Sequence, residues 1–108
     1  LNRELILENI RIKDYPEMPS RFSCLWVAKS LEEASIWFNH FSKEKNLKLI
    51  TLESTNDAVK VDSKFIPLPH DSLKVKEEKA HAYWSGQKSE APMIEYLFQG
   101  IATVKEIQ

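Results

Sequence analysis

The residue best suited to chemistry in this sequence is Glu95, a carboxylate inside an otherwise apolar stretch. It lies within APMIEYLFQGIATV (91–104), a pattern that predicts a buried β-hairpin. A carboxylate buried in its charged form without a partner costs several kcal/mol, so this one needs an explanation. Three explanations remain open: a functional group in a cleft, a solvent-facing position on a half-exposed strand, or an ion pair with Arg21.

Trp26 is the second candidate for a functional role. It ends the predicted strand RFSCLWVA (21–28), just before the helix cap expected at Ser30. An aromatic residue at such a strand end either fills the core or faces a cleft, and both alternatives remain open. The other two tryptophans are expected to be packing residues, because Trp37 belongs to an apolar helical stripe and Trp84 closes the last helix.

Three other kinds of chemistry have weak support in the sequence. The histidines show neither HxH nor HxxxH spacing nor a cysteine partner, so no metal site is predicted at His40, His70 or His81. Cys24 lies in an apolar strand with no histidine close by in sequence, which favours a buried structural thiol. With only two glycines, the chain has neither a glycine-rich phosphate loop nor a dinucleotide-binding fingerprint.

Composition indicates one soluble domain over residues 1–108. The hydrophobic fraction is 43%, the charged fraction 29% and the formal net charge −1. Nucleic-acid binding through bulk charge is not expected, since it needs a basic stripe. A single cysteine excludes an intramolecular disulfide and favours a reducing compartment, hence the cytoplasm. No apolar run approaches the roughly 20 residues of a membrane span, so we expect no membrane partner.

These residues must be positioned by eight elements in the order α-β-α-β-β-α-β-β. Ser30 with Glu33 forms a capping box, Asp71 or Ser72 caps the last helix, and Gly86 ends it. Helices and strands mix without regular alternation, which favours an α+β fold. Helices are predicted over 2–13, 30–45 and 70–86, and strands over 21–28, 47–54, 57–68, 93–100 and 101–107.

Two segments resemble the ADP-ribosyltransferase fold. SCLWVAKSLEEASIWF (23–38) is similar to a strand of the form G-[IL]-Y-F-A and the capped helix after it in poly(ADP-ribose) polymerases. Trp26 falls at the tyrosine that stacks on nicotinamide there. EYLFQGIATV (95–104) resembles the late strand N-E-Y-[IL]-V, in which Glu95 takes the place of the catalytic glutamate. The chain also resembles a small uncharacterised bacterial and phage family, which we associate with the same fold, at YPEMPSRFSCLWVA (15–28), AHAYWSG (80–86) and EYLFQGIATV (95–104).

The resemblance implies a split β-sandwich with about three helices and an NAD-dependent ADP-ribosyltransferase activity. NAD is then the substrate, no metal is needed, and the acceptor is a protein, a nucleic acid or a small molecule. Glu95 would stabilise an oxocarbenium-like centre and hold the ribose 2′-hydroxyl. Trp26 would stack on nicotinamide, while Arg21, Ser20 and Ser23 would hold the pyrophosphate.

Two features depart from that family. Its members carry a His or Arg on an opening strand, whereas this chain opens with a predicted helix at Asn2–Lys13. The expected strand either precedes Leu1 or does not exist. Trp26 replaces the usual tyrosine and supplies no phenol hydroxyl. The alternative function is therefore a non-enzymatic α+β interaction module that keeps the fold without the activity.

Overall fold

The computed structural model describes residues 2–40 and 49–107, and its elements follow the predicted order. The α+β class is confirmed, with three helices and two small antiparallel sheets among these residues. The end of the second predicted helix (41–45) and the start of the next strand (47–48) lie outside the described residues. The helices are α1 (Arg3–Asp14), α2 (Leu31–His40) and α3 (Leu73–Ser85); the strands are β1 (Leu25–Val27), β2 (Ile50–Glu53), β3 (Val59–Asp62), β4 (Ile94–Phe98) and β5 (Thr103–Ile107).

The core forms where α1 and α3 pack against the sheet that contains β4. The sequence places Leu5, Ile6 and Ile10 of α1 on one apolar face; Ile6 and Ile10 are buried at i, i+4 spacing, whereas Leu5 is 48% exposed. From α3, Trp84 is 1% exposed, and its indole Nε1 donates a hydrogen bond of 2.9 Å to the carbonyl of Leu7. The expected packing role of Trp84 is confirmed, and its one polar group is satisfied inside the core.

The predicted β-hairpin over 91–104 is wrong, because β4 and β5 do not pair with each other. β4 lies between β1 and β3 in one antiparallel sheet, and β5 pairs with β2 in the other. The ends of the two sheets that face each other nevertheless share one register, although the second sheet shifts register between Thr51 and Leu52. Leu52 lies opposite Val104 in the second sheet, and Val59 lies opposite Leu97 in the first. β2–β3 and β4–β5 are thus two long strands that run side by side through a common bend.

The bend is held by contacts between the two long strands. Counting inward from either sheet brings Asn56 opposite Gly100. Asn56 Oδ1 accepts a hydrogen bond from the backbone N–H of Ile101, and Ser54 Oγ donates to the carbonyl of the same residue. Gly100 has φ +149°, and a Cβ there would lie 2.7 Å from Asn56 Oδ1. Glycine is therefore required at this position for both backbone and steric reasons.

The expected core position of Trp37 is wrong. Its residue is 53% exposed, and Leu31 and Ile36 on the same helix are also exposed. The predicted stripe contains Leu31 and Trp37 at helical spacing, but the surface that would cover the stripe depends on other parts of the chain. No described helix is long and apolar enough to cross a membrane.

Candidate functional site

Glu95 and Trp26 lie on the same face of neighbouring strands. β1 pairs with β4 so that Trp26 is directly opposite Leu97, and Glu95 lies two residues before Leu97 on β4. Opposed residues and residues two apart point to one face of a sheet, so both candidates face the helices. Val61, opposite Glu95 on β3, is buried on this face. The predicted strand 21–28 is shorter than expected, since residues 21–23 form a turn.

Arg21, in that turn, is the centre of the site. Its Nε and Nη2 donate to the two carboxylate oxygens of Glu4 at 2.8 and 3.2 Å. Its Nη1 donates to Glu95 Oε1 at 2.8 Å and to the Tyr83 hydroxyl oxygen at 2.7 Å. Burial lowers the pKa of Arg21, but the contacts with Glu4 and Tyr83 outweigh burial and raise it above its ordinary value. The guanidinium is therefore a permanent cation among two carboxylates.

Tyr83 is the residue that the sequence reading missed. It is fully buried on α3, and its hydroxyl donates a hydrogen bond of 2.7 Å to Glu95 Oε1. Burial, together with the negative charge of Glu95, raises the pKa of Tyr83 above its usual range, so the hydroxyl stays protonated. A general signal was present, because a buried tyrosine needs a hydrogen-bond partner for its hydroxyl. The identity of that partner was not readable from the sequence.

Trp26 remains accessible beside this cluster. Its residue is 49% exposed, and the Arg21 guanidinium carbon lies 5.2 Å from the centre of its ring. This distance is within the range of a cation–π contact. The tryptophan is therefore neither a core residue nor an isolated surface residue, since it borders the Arg21 cluster and presents part of its ring to solvent.

The two serines of the predicted site have different surroundings. Ser20 is buried, donates to Glu8 Oε2 at 2.9 Å and accepts from the backbone N–H of Phe22 at 3.2 Å. Ser23 is exposed, and its hydroxyl makes no hydrogen bond with the described part of the chain. Cys24 is buried as expected, and burial raises the pKa of its thiol, which makes it a poor nucleophile.

A family model matches residues 1–108 over their whole length. Its family is described as a protein of unknown function, DUF2441. The chain belongs to the DUF2441 family. None of the curated proteins compared with it matches.

Two cavities in the DUF2441 chain lie away from the Arg21 cluster. One of about 160 Å³ borders the bend between the sheets, and one of about 280 Å³ lies beside the start of α1. Neither is lined by Glu95 or Trp26. The first is lined by Glu17, Pro19, Asn56, Asp57, Val59 and Gln99, and the second by Asn2, Arg3, Leu68, Pro69 and Lys76.

The histidines do not form a metal centre within residues 2–40 and 49–107. No group of three or more His, Cys, Asp and Glu side chains there could hold an ion. His81 Nδ1 instead lies 3.2 Å from the Tyr15 hydroxyl, and His70 is exposed beside Asp71. The side chain of His40 is outside the described part of the structure.

In this DUF2441 chain the arrangement offers one carboxylate oxygen for chemistry. Glu95 Oε1 accepts from both Arg21 and Tyr83, whereas Oε2 has no hydrogen bond to any described residue. The Glu95 side chain is 22% exposed, so that oxygen is next to solvent. A carboxylate fixed in this way can accept a hydrogen bond from a ligand hydroxyl or stabilise a nearby positive charge.

Proposed function

We propose that this chain is an NAD-dependent ADP-ribosyltransferase with an ADP-ribosyltransferase-like split β-sandwich fold, and that Glu95 is its catalytic residue. One observation carries the proposal: Glu95 and the half-exposed Trp26 lie on one face of adjacent strands, with Arg21 in contact with both. The same two positions are the ones that resemble the nicotinamide-stacking and catalytic residues of that fold.

In the proposed reaction, the bond between nicotinamide and ribose C1′ breaks. Both electrons go to the pyridinium nitrogen, and nicotinamide leaves neutral. The positive charge that develops at C1′ is stabilised by the Glu95 carboxylate, which also accepts a hydrogen bond from the ribose 2′-hydroxyl. An acceptor nucleophile then bonds to C1′ and releases its proton to solvent. The acceptor is a protein, a nucleic acid or a small molecule.

The charge of the cluster supports binding of the nicotinamide ring of NAD, which is a cation. Glu4, Arg21 and Glu95 together carry a formal charge of −1, because one guanidinium faces two carboxylates. The face of an indole ring also attracts cations. Stacking of the pyridinium on Trp26 would therefore be favoured by both the ring and its neighbours.

The proposal assigns Arg21 and Ser20 to the support of the site rather than to phosphate binding. The guanidinium already donates to Glu4, Tyr83 and Glu95, and Ser20 donates to Glu8. Pyrophosphate would have to displace an intramolecular carboxylate that α1 holds in place. Of the predicted phosphate ligands, only Ser23 has a hydroxyl that is exposed and not engaged by the described residues. We also propose a cytoplasmic location, in keeping with the single reduced cysteine.

The second candidate is a non-enzymatic interaction module. It is favoured by the apolar face of the second sheet, where Ile50 and Leu52 lie opposite Ile107 and Val104. All four side chains are exposed. In this alternative, Glu95 is only the structural partner of Arg21.

The Glu95→Gln variant decides between the two candidates. Its amide oxygen can still accept from Arg21 and Tyr83, but the charge that stabilises an oxocarbenium is lost. For the enzyme, we expect nicotinamide release from NAD to fall by about 100-fold or more, with the fold retained. For the module, neutralising a structural partner of a largely buried cation costs up to about 3–5 kcal/mol, and neither the wild-type protein nor the variant releases nicotinamide.

The melting temperature and nicotinamide release should be measured on the same sample. Glu90→Gln is the matched control, because it makes the same change at an exposed position in the loop before β4. A wild-type protein that releases no nicotinamide, or a stable Glu95→Gln protein with unchanged release, would exclude the transferase.

A further inference from the structure

The two donors that hold Glu95 both use the same oxygen. Arg21 Nη1 and the Tyr83 hydroxyl donate to Oε1 at 2.8 and 2.7 Å, and the same Nη1 also donates to the Tyr83 hydroxyl oxygen at 2.7 Å. The three groups therefore form a closed triangle on one side of the carboxylate. Oε2 is left outside the triangle.

We propose that Tyr83 is a positioning residue that fixes the Glu95 side chain so that Oε2 faces the ribose 2′-hydroxyl of NAD. This inference rests on the function proposed above. Tyr83 does not touch the substrate in this assignment, and it acts only through the direction in which it holds the carboxylate.

The core makes Tyr83 a rigid support. Its residue is fully buried, and its ring packs edge-on against Trp84 with the ring centres 4.8 Å apart. Trp84 is itself tied to α1 through its hydrogen bond to Leu7. The position of the hydroxyl is therefore set by the α1–α3 packing, not by the flexible glutamate that it contacts.

Arg21 alone would hold Glu95 less firmly. Its Nε and Nη2 are engaged by Glu4, and only Nη1 reaches Glu95. A single hydrogen bond restricts the χ1 and χ2 rotamers of a glutamate less than two donors on one oxygen do. The raised pKa of Tyr83 keeps its hydroxyl protonated, so it remains a donor to the carboxylate.

Tyr83→Phe removes the hydroxyl and keeps the ring in the core. We expect kcat for nicotinamide release to fall by about 10-fold, the scale of one hydrogen bond to a charged group, with KM within about twofold of wild type. Tyr15→Phe is the matched control. This substitution also removes a tyrosine hydroxyl that contacts α3, because the Tyr15 hydroxyl lies 3.2 Å from His81 Nδ1, but Tyr15 does not contact Glu95. Its kcat should equal that of wild type.

An NMR measurement tests the positioning without any turnover. In wild-type protein, side-chain couplings should show Glu95 in a single rotamer, and in Tyr83→Phe they should be averaged over several. A single Glu95 rotamer in Tyr83→Phe overturns the proposal, whatever the kinetics. If wild-type protein releases no nicotinamide, the transferase function fails, and the rotamers alone decide whether Tyr83 holds the carboxylate.

A further NMR measurement needs no variant and applies even if Tyr83→Phe does not fold. The Tyr83 hydroxyl proton of wild-type protein should exchange slowly and show a nuclear Overhauser effect to the γ-protons of Glu95. A rapidly exchanging hydroxyl proton, or one without that effect, overturns the proposal.

Discussion

At the scale of single residues, two carboxylates of the three-stranded sheet are held in different ways. Asp62 is 1% exposed, and its oxygens accept backbone N–H groups from Lys64, Ser89 and Met93 at 2.7–3.0 Å. Both oxygens are engaged, and they tie the loop after α3 to the end of β3. Glu95 is held by side chains on one oxygen only. The first arrangement is structural, whereas the second leaves a free acceptor.

The pH dependence of stability should report on Asp62. Burial raises the pKa of its carboxyl, but the hydrogen bonds from Ser89, Lys64 and Met93 outweigh burial and lower the pKa from 3.8 to about 2. Because the pKa is lower in the folded state, this stabilisation is complete above about pH 4 and is lost as the pH falls towards 2. The shift corresponds to roughly 2 kcal/mol.

Asp62→Asn should remove this contribution to the pH dependence and lower the free energy of unfolding at pH 7. Urea unfolding at pH values from 2 to 7 measures both effects. Asp57→Asn is the control, because the Asp57 side chain is 94% exposed and its carboxylate pairs with the exposed Lys29. If the two variants had the same pH profile, Asp62 would not be the source of the dependence.

At the scale of the elements, the two later helices have similar caps but different packing. Ser30 Oγ accepts the N–H of Glu33 at 3.1 Å, and Ser72 Oγ accepts the N–H of Val75 at 3.2 Å. α3 then buries four residues in or beside the core, whereas α2 exposes Trp37 and other apolar side chains. The cap therefore contributes a larger share of the stability of α2 than of the stability of α3.

Replacement of either cap residue by alanine should cost about 1 kcal/mol of helix stability. For Ser72→Ala the loss should appear in the global unfolding transition, because α3 unfolds with the core. For Ser30→Ala it should appear first as faster amide exchange in the first turn of α2, with Glu95 unaffected. Unchanged exchange in Ser30→Ala would show that the cap contributes nothing to α2.

At the scale of the whole molecule, the two sheets are joined by one pair of long strands that bends at Asn56 and Gly100. Gly100→Ala introduces a Cβ 2.7 Å from Asn56 Oδ1 and a residue other than glycine at positive φ. We expect a loss of about 1–3 kcal/mol in the free energy of unfolding, measured by urea denaturation.

Gly86→Ala is the control for that substitution. Gly86 has φ +81°, and a Cβ added there would meet no atom within 4 Å, so this variant tests backbone strain without a steric contact. Its cost should be about 1 kcal/mol, smaller than that of Gly100→Ala. The opposite order would show that the contact with Asn56 does not stiffen the bend.

The sequence by itself determined the order and type of the elements. The Asn2, Ser30 and Ser72 caps and the left-handed Gly86 depend on hydrogen bonds between residues at most five apart, so they are written in short stretches of chain. The i, i+4 spacing of Ile6 and Ile10 in α1 is equally local. These signals do not depend on contacts with distant parts of the chain, and the α+β class follows from their order.

Only the tertiary structure decided which strands pair and what surrounds Glu95. Arg21 and Glu95 are 74 positions apart, and Tyr83 reaches Glu95 from a helix. Such contacts depend on how all the elements pack into one core, because each strand could form its backbone hydrogen bonds with more than one other strand. The same packing leaves Trp37 53% exposed and places the buried Tyr83 beside Glu95, the carboxylate that the sequence singled out.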